Sequence, residues 1–481
     1  MGHQLVDDVA ELLATMGERP VTPGEMPPLV QELLGADRPL PEEGTDPGVL
    51  LKETTDLLID HSLFNGHPRF FGYITSSPAP IGILGDFLAS AINPNVGAWL
   101  LAPMATEIER QSVSWIAELL GYPTDCGGLL VSGGNMANMV GLWAARVAKA
   151  SVDIRATGAR EGPRMRVYAS EETHTWIQKA SDLSGLGTDA IRWITTDGDL
   201  RMDVGALRRQ IHDDRDAGDQ PFMVIGTGGS VSTGLVDPLP QIAALCRDED
   251  LWFHVDGAYG GFAVASPDAP DDLRALAEAD SVAVDPHKWL YTPMEAGCIL
   301  VRNADHLRDA FSYRPPYYHF DLDAISYVDY GPQNSRGFRA LKVWLALKQV
   351  GRSGYADMIT QDMRLARALR DAVTEHPDLE PMSHGLSITA FRYVPPDLRE
   401  RRNDRAVAEY LNRLNKDIQG RMELGGEAFV SNAVITERYA LRACIVNFNT
   451  GMEDVQALPE IVVRTGRRAD ANLRPEDLPV G

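Results

Sequence analysis

Short apolar runs alternate with helix-like segments along residues 67–354. The run GGLLVS is followed by NMANMVGLWAARVAKA, RMRVYAS by HTWIQKASDLSG and PFMVIGT by PLPQIAALCRDED, and two further runs follow, LWFHVDG and SVAVDPHKW. Apolar runs of this length indicate buried strands, and the alternation of strand with helix implies right-handed crossovers. The pattern predicts an α/β fold whose large domain contains a mainly parallel sheet with helices on both faces.

The chain on either side of this region has a different pattern. The first 65 residues contain helical patterns around a Pro-rich break, VTPGEMPPLVQELLGADRPLPEEGTDP, which is typical of an extended arm. Beyond residue 360, helical segments alternate with the apolar stretches SITAFRYV and YALRACIVNF, which indicates a small α+β domain. We therefore predict an N-terminal helical arm and dimerisation segment over 1–85, a large domain over 86–358 and a small C-terminal domain over 359–481.

Composition and charge narrow the class of partner. The 481 residues include 45 Lys and Arg against 68 Asp and Glu, a formal net charge of −23. Nucleic-acid binding and adsorption to an anionic membrane both need clustered cations, so we predict neither partner and favour a small molecule. No apolar run approaches the roughly 20 residues of a membrane span. The four cysteines form no zinc-type cluster, so we predict no metal site and a cytoplasmic location.

Two polar residues follow apolar runs and are therefore expected at the carboxyl ends of buried strands. Asp256 ends the run WFHVD, and Lys288 follows SVAV within DPHKW. Open α/β sheets bind their ligands at those ends. Either residue alone fits a structural ion pair. Together they favour a pyridoxal-phosphate site, in which a lysine amine forms a Schiff base and a carboxylate faces the pyridine nitrogen.

A glycine-containing turn supplies a candidate site for the phosphate end of that cofactor. The stretch GGLLVSGGNMANM places Gly134 and Asn135 between a strand and an amphipathic helix, where free backbone N–H groups and the helix dipole attract an anion. A plain Gly-rich turn with Asn135 as the helix cap fits equally well. His174, in ASEETHTWIQKA, fits either a capping or core histidine or an imidazole stacked on the cofactor ring.

The order of the motifs resembles a known family. Segments HPRFFGYITSSPAP, ATEIERQSVSWIAELLGYP, LLVSGGNMAN, ASEETHTWIQKA, HVDGAYGG, DPHKWL and SRGFRALKVW are similar to group II pyridoxal-phosphate-dependent amino-acid decarboxylases, among them aromatic-L-amino-acid and tyrosine decarboxylases. The match extends over residues 67–347. The resemblance implies fold type I, with a mainly parallel seven-stranded sheet, an N-terminal arm and a small α+β C-terminal domain. It also implies a homodimer with active sites at the interface.

The resemblance implies a role for each candidate residue. Lys288 would bind pyridoxal 5′-phosphate as the internal aldimine, Asp256 would face the pyridine nitrogen and His174 would stack on the ring. Further cofactor contacts would come from Gly134, Asn135, Thr227, Ala258 and His287. Substrate contacts would come from Tyr73, Thr75 and Trp99, the last of which matches a residue lining the pocket of the neighbouring subunit.

The resemblance also places a catalytic tyrosine in the stretch SYRPPYYHFDLDAISYVDYGPQN, which matches a mobile loop of the family. Counting back from SRGFRALK selects Tyr327 as the group that protonates the quinonoid intermediate, with Tyr330 as the nearby competitor. Tyr313, Tyr317 and Tyr318 lie in the same stretch. A tyrosine-rich interface segment would fit any one of them. Gly337 stands where a second Arg is common in the family.

We therefore expect decarboxylation of an L-amino acid, with an aromatic or similarly bulky side chain favoured by the aromatic residues of the substrate segment. The alternative is decarboxylation-dependent oxidative deamination on the same scaffold, which uses O2 and yields an aldehyde. His174 favours simple decarboxylation. A catalytically silent pyridoxal-phosphate protein and an aminotransferase are further alternatives. The presence of Lys288, Asp256 and His174 argues against the first, and the contexts HVDGAYGG and DPHKWL argue against the second.

Overall fold

A computed structural model describes residues 2–314, 324–476 and 478, which divide into two units. One unit extends from Pro78 to Met363, and the other combines the residues up to Ser77 with those from Arg364 onward. The division into segments 1–85, 86–358 and 359–481 stays a prediction.

The helices and strands of the described residues are numbered in chain order. The α-helices are α1 (Gly2–Thr15), α2 (Pro27–Leu34), α3 (Pro47–His61), α4 (Pro80–Ile92), α5 (Pro103–Leu120), α6 (Gly134–Lys149), α7 (Ile154–Thr157), α8 (Trp176–Leu183), α9 (Val204–Asp216), α10 (Leu239–Asp248), α11 (Pro286–Trp289), α12 (Ala304–Phe311), α13 (Ala340–Glu375), α14 (Arg405–Gly425) and α15 (Met452–Leu473). The strands are β1 (Phe70–Phe71), β2 (Gly127–Val131), β3 (Met165–Ser170), β4 (Ile191–Ile194), β5 (Gln220–Thr227), β6 (Trp252–Asp256), β7 (Ser281–Val284), β8 (Gly297–Val301), β9 (Leu379–Gly385), β10 (Ile388–Tyr393), β11 (Phe429–Ile435) and β12 (Arg438–Cys444).

The unit from Pro78 to Met363 contains a seven-stranded sheet in the order β2-β8-β7-β6-β5-β3-β4. Strand β8 is antiparallel to both β2 and β7, and every other pair is parallel. Every residue of β2, β6, β7 and β8 is buried, as expected for a sheet covered on both faces. The α/β fold with a mainly parallel seven-stranded sheet, of fold type I, is therefore confirmed.

The parallel register of this sheet aligns the ends of its central strands. Thr227, the last residue of β5, is the register partner of Asp256, the last residue of β6. Asp256 in turn pairs with Ala283, two residues before Asp285. Because the carboxyl ends of neighbouring parallel strands meet at one edge, the chain places three chemically useful side chains side by side.

The other unit contains a five-stranded sheet in the order β1-β11-β12-β10-β9. Its core joins apolar residues of this sheet, such as Phe391 and Leu441, to residues of α14 and α15, such as Leu411 and Val462. The short strand β1 pairs in parallel with β11, so the N-terminal segment contributes an edge strand to the α+β unit. This pairing joins residues far apart in sequence, which hydrophobic periodicity alone does not reveal.

Candidate active site

A cavity lies at the carboxyl ends of β5, β6 and β7, beside the first turn of α6. Seven of the predicted residues line it: Gly134, Asn135, His174, Thr227, Asp256, Ala258 and Lys288. Asn138, Gly229, Val231, Tyr259 and Asp285 complete the lining. The sheet register thus brings to one place the motifs that sequence analysis singled out separately.

Lys288 enters the cavity from the short helix α11, which follows β7. Its ammonium lies 2.9 Å from Asp285 Oδ2, and its side chain is 19% exposed. The second Asp285 oxygen, Oδ1, is buried and has no hydrogen-bond partner among the described residues. Asp285 therefore pairs with the lysine and still has an acceptor available for another donor.

Asp256 is held by two donors at the end of β6. The Trp176 indole Nε1 donates to Asp256 Oδ2 at 2.7 Å, and the Ala258 backbone N–H donates to Oδ1 at 3.1 Å. The two hydrogen bonds fix the plane of the carboxylate. A carboxylate fixed in this way suits an interaction with a protonated ring nitrogen.

A neutral histidine lies behind this arrangement. His254 is fully buried, with Nε2 at 2.7 Å from the Asn138 amide oxygen and Nδ1 at 2.7 Å from the Ser281 hydroxyl. Because the amide oxygen only accepts, Nε2 carries the proton and Nδ1 accepts from Ser281. Burial lowers the pKa of His254 to about 4. The Trp176 ring packs edge-on against the imidazole, with the ring centres 5.8 Å apart.

His174 precedes α8 at the rim of the cavity. Its Nδ1 accepts a hydrogen bond from the Trp176 backbone N–H at 3.2 Å, so this nitrogen is unprotonated. Desolvation is the main cause that lowers the pKa of His174, and the Lys288 charge acts in the same direction. The imidazole is therefore oriented by the turn that also places Trp176 against Asp256.

The turn between β2 and α6 forms a glycine cradle beside these groups. Gly133 has a φ of +92°, which side chains rarely tolerate, and it precedes the first residue of the helix. A Cβ on Gly134 would lie 2.6 Å from Asp285 Oδ2 and 2.8 Å from the Ala258 Cβ. A Cβ on Gly133 would lie 3.3 Å from the His287 ring. Only glycine fits where the helix N-terminus, His287 and the cavity meet.

These features fit pyridoxal phosphate. The cavity combines an amine, a fixed carboxylate and the N-terminus of a 16-residue helix, whose free N–H groups suit a phosphate. Asp285 Oδ1 is buried without a partner among the described residues, and the glycines of the turn leave space beside it. Protein packing alone explains neither the unpartnered acceptor nor the space. The donor set matches the three chemically different ends of the cofactor.

Three predicted residues of the same unit, His287, Trp99 and Tyr327, lie outside the cavity lining. His287 Nδ1 lies 2.7 Å from the Ala296 carbonyl oxygen, and its Nε2 lies 3.7 Å from Asp285 Oδ2. The Trp99 indole donates to Glu107 at 3.0 Å.

The Tyr327 ring, 1% exposed, lies 4.6 Å from the guanidinium carbon of Arg336, which is paired with the buried Glu109. Burial raises the pKa of Tyr327 well above its usual range. The proposed proton-donor role of Tyr327 stays a prediction.

The competing tyrosines are placed differently. Tyr330 packs edge-on against Tyr327, with ring centres 6.0 Å apart, and burial raises its pKa as well. Tyr313 is exposed, and the Arg155 guanidinium lies 4.2 Å above its ring. Tyr317 and Tyr318 lie outside the described residues.

The two predicted substrate residues near the N-terminus belong to the α+β unit. Tyr73 has a φ of +48°, and its N–H donates to Ser431 Oγ at 3.2 Å. Its ring is 59% exposed. The Thr75 hydroxyl is buried without a hydrogen-bond partner among the described residues. A strained backbone and an unpartnered hydroxyl in one short segment are features typical of a functional loop.

Sequence analysis did not identify several residues that shape the cavity. Trp176, Asn138 and His254 support Asp256, and Tyr259 stacks on Trp289 with ring centres 5.1 Å apart. Trp176 and His254 lie two residues from His174 and Asp256, so proximity to the motifs was the one available signal. Asn138 lies one helical turn beyond Asn135 on α6, which places both amides on one face.

Residues 2–314, 324–476 and 478 contain no helix that is long and apolar enough to cross a membrane. In the same residues, no group of three or more His, Cys, Asp or Glu side chains is arranged to hold a metal ion. The four cysteines are free thiols.

Comparisons with known proteins agree with the site. The sequence model of a protein family, the pyridoxal-dependent decarboxylase conserved domain, matches residues 31–394. An aromatic-L-amino-acid decarboxylase of Bacillus atrophaeus is 33% identical over 461 residues, which cover 95% of this chain and 92% of the relative. A phenylacetaldehyde synthase of Arabidopsis thaliana is 27% identical over 457 residues, which cover 92% of this chain and 89% of the relative.

A similarity in structure extends over nearly the whole chain. The crystal structure of Oryza sativa TDC with PLP and tryptamine has a TM-score of 0.89 and 27% sequence identity, and covers 97% of this chain and 96% of that chain. The expected cofactor, pyridoxal phosphate, and the expected reaction class, carboxy-lyase, are thereby confirmed. The chain belongs to the pyridoxal-dependent decarboxylase family and acts as a pyridoxal-phosphate-dependent decarboxylase of amino acids.

Proposed function

We propose that this enzyme decarboxylates an aromatic L-amino acid and releases the corresponding amine. The proposal rests on one observation: Lys288, the fixed carboxylate of Asp256 and the N-terminus of α6 all line one cavity. The aromatic substrate class is supported by the Bacillus relative, which is named an aromatic-L-amino-acid decarboxylase. The Oryza structure with tryptamine supports an amine product.

The residues of the cavity divide the work of binding and proton control. Pyridoxal phosphate, when bound, supplies an electron sink for the bond that releases carbon dioxide. Lys288 would supply the amine that holds the cofactor. Asp256 would keep a proton at the pyridine nitrogen, and Gly134 and Asn135 would bind the phosphate with the helix dipole. His174, at the rim of the cavity, would help exclude water from the bound cofactor.

A second candidate function is decarboxylation coupled to oxidative deamination, which consumes O2 and yields an aldehyde. It is favoured by the similarity to a phenylacetaldehyde synthase over 92% of this chain. The two reactions diverge at the protonation of the substrate carbon. His174, which lines the cavity, favours the amine, whereas the buried Tyr327 lies outside the cavity lining.

One assay separates the two functions. The purified holoenzyme is incubated with L-phenylalanine, L-tyrosine, L-tryptophan and the non-aromatic L-amino acids, and carbon dioxide, amine, aldehyde and O2 are measured together. We expect carbon dioxide and amine in equal amounts, without O2 uptake, from one of the aromatic substrates. Aldehyde with O2 uptake would replace the first candidate by the second. A preference for a non-aromatic substrate would refute the aromatic assignment.

The role of Lys288 has its own test. Lys288→Ala should lose both the visible absorbance of lysine-bound pyridoxal phosphate and the covalent cofactor adduct after borohydride reduction. Lys348→Ala is the matched control, because the Lys348 ammonium lies 4.4 Å above the Trp344 ring and outside the cavity lining. A borohydride adduct that persists in Lys288→Ala would assign the attachment to a different lysine.

We also propose that the enzyme acts as a homodimer. Helix α4 is apolar on most sides, and its exposed residues include Leu84, Phe87, Leu88 and Ile92. Patches of this kind mark protein interfaces. Phe87→Glu with Leu88→Glu should halve the mass measured by light scattering, whereas an unchanged mass would place any interface elsewhere.

We also propose a cytoplasmic location, which the four free thiols support.

A further inference from the structure

In the unit that contains the residues from Arg364 onward, arginine side chains surround Glu380 of β9. Arg392, its cross-strand partner on β10, donates from Nε to Glu380 Oε2 at 2.6 Å. Arg402 Nε and Arg438 Nη1 lie 3.3 and 3.6 Å from Glu380 Oε1. Arg399 Nη2 donates at 3.4 Å to the carbonyl of the residue before Glu380. Three guanidinium groups thus converge on one carboxylate, and a fourth binds the adjacent backbone carbonyl.

This arginine cluster has more donors than acceptors. The Arg392 side chain is 0% exposed, yet neither Nη1 nor Nη2 has a hydrogen-bond partner among the described residues. Arg399 Nη1 is buried and unpartnered in the same sense. The cluster carries four positive charges against the single negative charge of Glu380, in a chain whose net charge is −23. The cluster therefore has an excess of positive charge and also an excess of hydrogen-bond donors.

Two neighbouring carboxylates are paired with arginines outside the cluster. Asp397 pairs with Arg474 at 2.6 Å, and Asp404 pairs with Arg401 at 3.1 Å. A buried guanidinium nitrogen without an acceptor destabilises the fold, so such groups are retained where an acceptor is supplied from elsewhere.

We propose that Arg392, Arg399, Arg402 and Arg438 form a binding site for a phosphate-type oxyanion, either free phosphate or the phosphoryl group of a small molecule. A tetrahedral dianion offers several acceptors at once, and planar guanidinium groups bind such anions through paired N–H donors. The side chains of Arg402 and Arg438 are 39% and 42% exposed, so the anion enters from solvent as they rotate.

Calorimetric titration of the holoenzyme with inorganic phosphate tests the site, with chloride holding the ionic strength constant. The bound cofactor occupies the phosphate position of the active site, and an unchanged visible spectrum verifies this. We expect one saturable phosphate per chain and a Kd at least tenfold weaker in an Arg402→Gln, Arg438→Gln double variant. Arg401→Gln, which removes an exposed neighbour bound to Asp404, should bind as the unmodified protein does.

Absence of saturable binding, or an equal loss in Arg401→Gln, would overturn the proposal. Glu380→Gln tests it with the opposite sign, because removing the carboxylate that competes with phosphate should tighten binding several-fold. The variant should unfold at a lower temperature in chloride and recover in phosphate. Equal unfolding temperatures of Glu380→Gln in the two salts would contradict the site. Tighter binding of glycerol 3-phosphate than of inorganic phosphate would identify a phosphoryl group as the ligand, and weaker binding the free ion.

Discussion

The ends of β6 and β7 carry two carboxylates that lie in one cavity but have different partners. Asp256, at the end of β6, has both oxygens engaged by protein donors, the Trp176 indole and the Ala258 N–H. Asp285, directly after β7, pairs through one oxygen with Lys288, and its other oxygen is buried without a partner among the described residues. The first carboxylate is held by donors of the fold, whereas the second is paired with the side chain of Lys288.

This difference shows how one sheet edge can present two carboxylates that are held in different ways. Donors that are part of the fold fix the Asp256 carboxylate in place before any ligand is present, so the site needs no reorganisation there. Asp285 pairs with the Lys288 ammonium at 2.9 Å and keeps one buried oxygen without a partner among the described residues. We therefore expect substitutions at the two positions to affect different steps.

The largest effect is expected from Asp256→Ala. Loss of a fixed charge aimed at a developing charge lowers kcat by about 10²–10³-fold in comparable sites. Cofactor attachment to Lys288 should persist, because the ammonium of Lys288 pairs with Asp285, whereas Asp256 is bound by Trp176 and Ala258. Steady-state decarboxylation and the visible spectrum of the holoenzyme measure the two properties. A variant with full kcat would show that Asp256 does not control the ring proton.

A pH effect on stability should follow from the histidine behind Asp256. The pKa of His254 falls from about 6.5 to about 4 on burial, so the folded state binds fewer protons than the unfolded chain between these values. The stabilisation is complete above pH 6.5 and is lost as the pH falls through 4. Its full size is roughly 3 kcal/mol, from about 1.4 kcal/mol per pKa unit.

Denaturant unfolding between pH 7.5 and 4.5 measures this contribution. His254→Gln cannot titrate and should flatten the pH dependence. His384→Gln is the comparison in the other unit: burial lowers the pKa of His384 to about 4 as well, so this variant should also flatten the pH dependence of stability. It should leave the visible spectrum of the cofactor unchanged at every pH. An unaltered pH dependence in His254→Gln would show that another group governs acid stability.

The sequence could identify the two carboxylates but not the difference between them. Asp256 and Lys288 were predictable because each follows an apolar run, and such runs place the next polar residue at a strand end. The Trp176–Asp256 hydrogen bond depends on the order in which β3, β5 and β6 lie in the sheet. That order results from long-range packing and leaves no local pattern.

For the tyrosine-rich stretch that contains Tyr327, long-range packing likewise made the contacts of the side chain unpredictable from the sequence. Counting from SRGFRALK located Tyr327 along the chain. Its contact with Arg336, and through it with Glu109 on α5, links segments that only the folded chain brings together. The parallel pairing of β1 with β11 was unpredictable for the same reason, since a two-residue strand has no periodicity to detect.

A smaller effect is expected from Trp176→Phe. The substitution keeps an aromatic ring against His254 but removes the indole N–H that donates to Asp256 at 2.7 Å. Asp256 would then keep the Ala258 N–H as a donor, and its orientation would be less strictly fixed. We expect kcat to fall about tenfold, which corresponds to about 1.4 kcal/mol of lost stabilisation. Equal losses in Trp176→Phe and Asp256→Ala would mean that the indole alone makes the carboxylate effective.

The smallest effect on kcat is expected from Asp285→Asn. This variant best distinguishes the role of Asp285 from that of Asp256. The amide oxygen still accepts a hydrogen bond from Lys288, but the negative charge 2.9 Å from the ammonium is lost. Because the fixed donors of Asp256 are untouched, kcat should fall by less than about tenfold. Reaction of the apoenzyme with added pyridoxal phosphate, followed by visible absorbance, should slow instead. If Asp285→Asn lowered kcat as much as Asp256→Ala while attachment stayed normal, the two carboxylates would share one role, and the contrast between β6 and β7 would not hold.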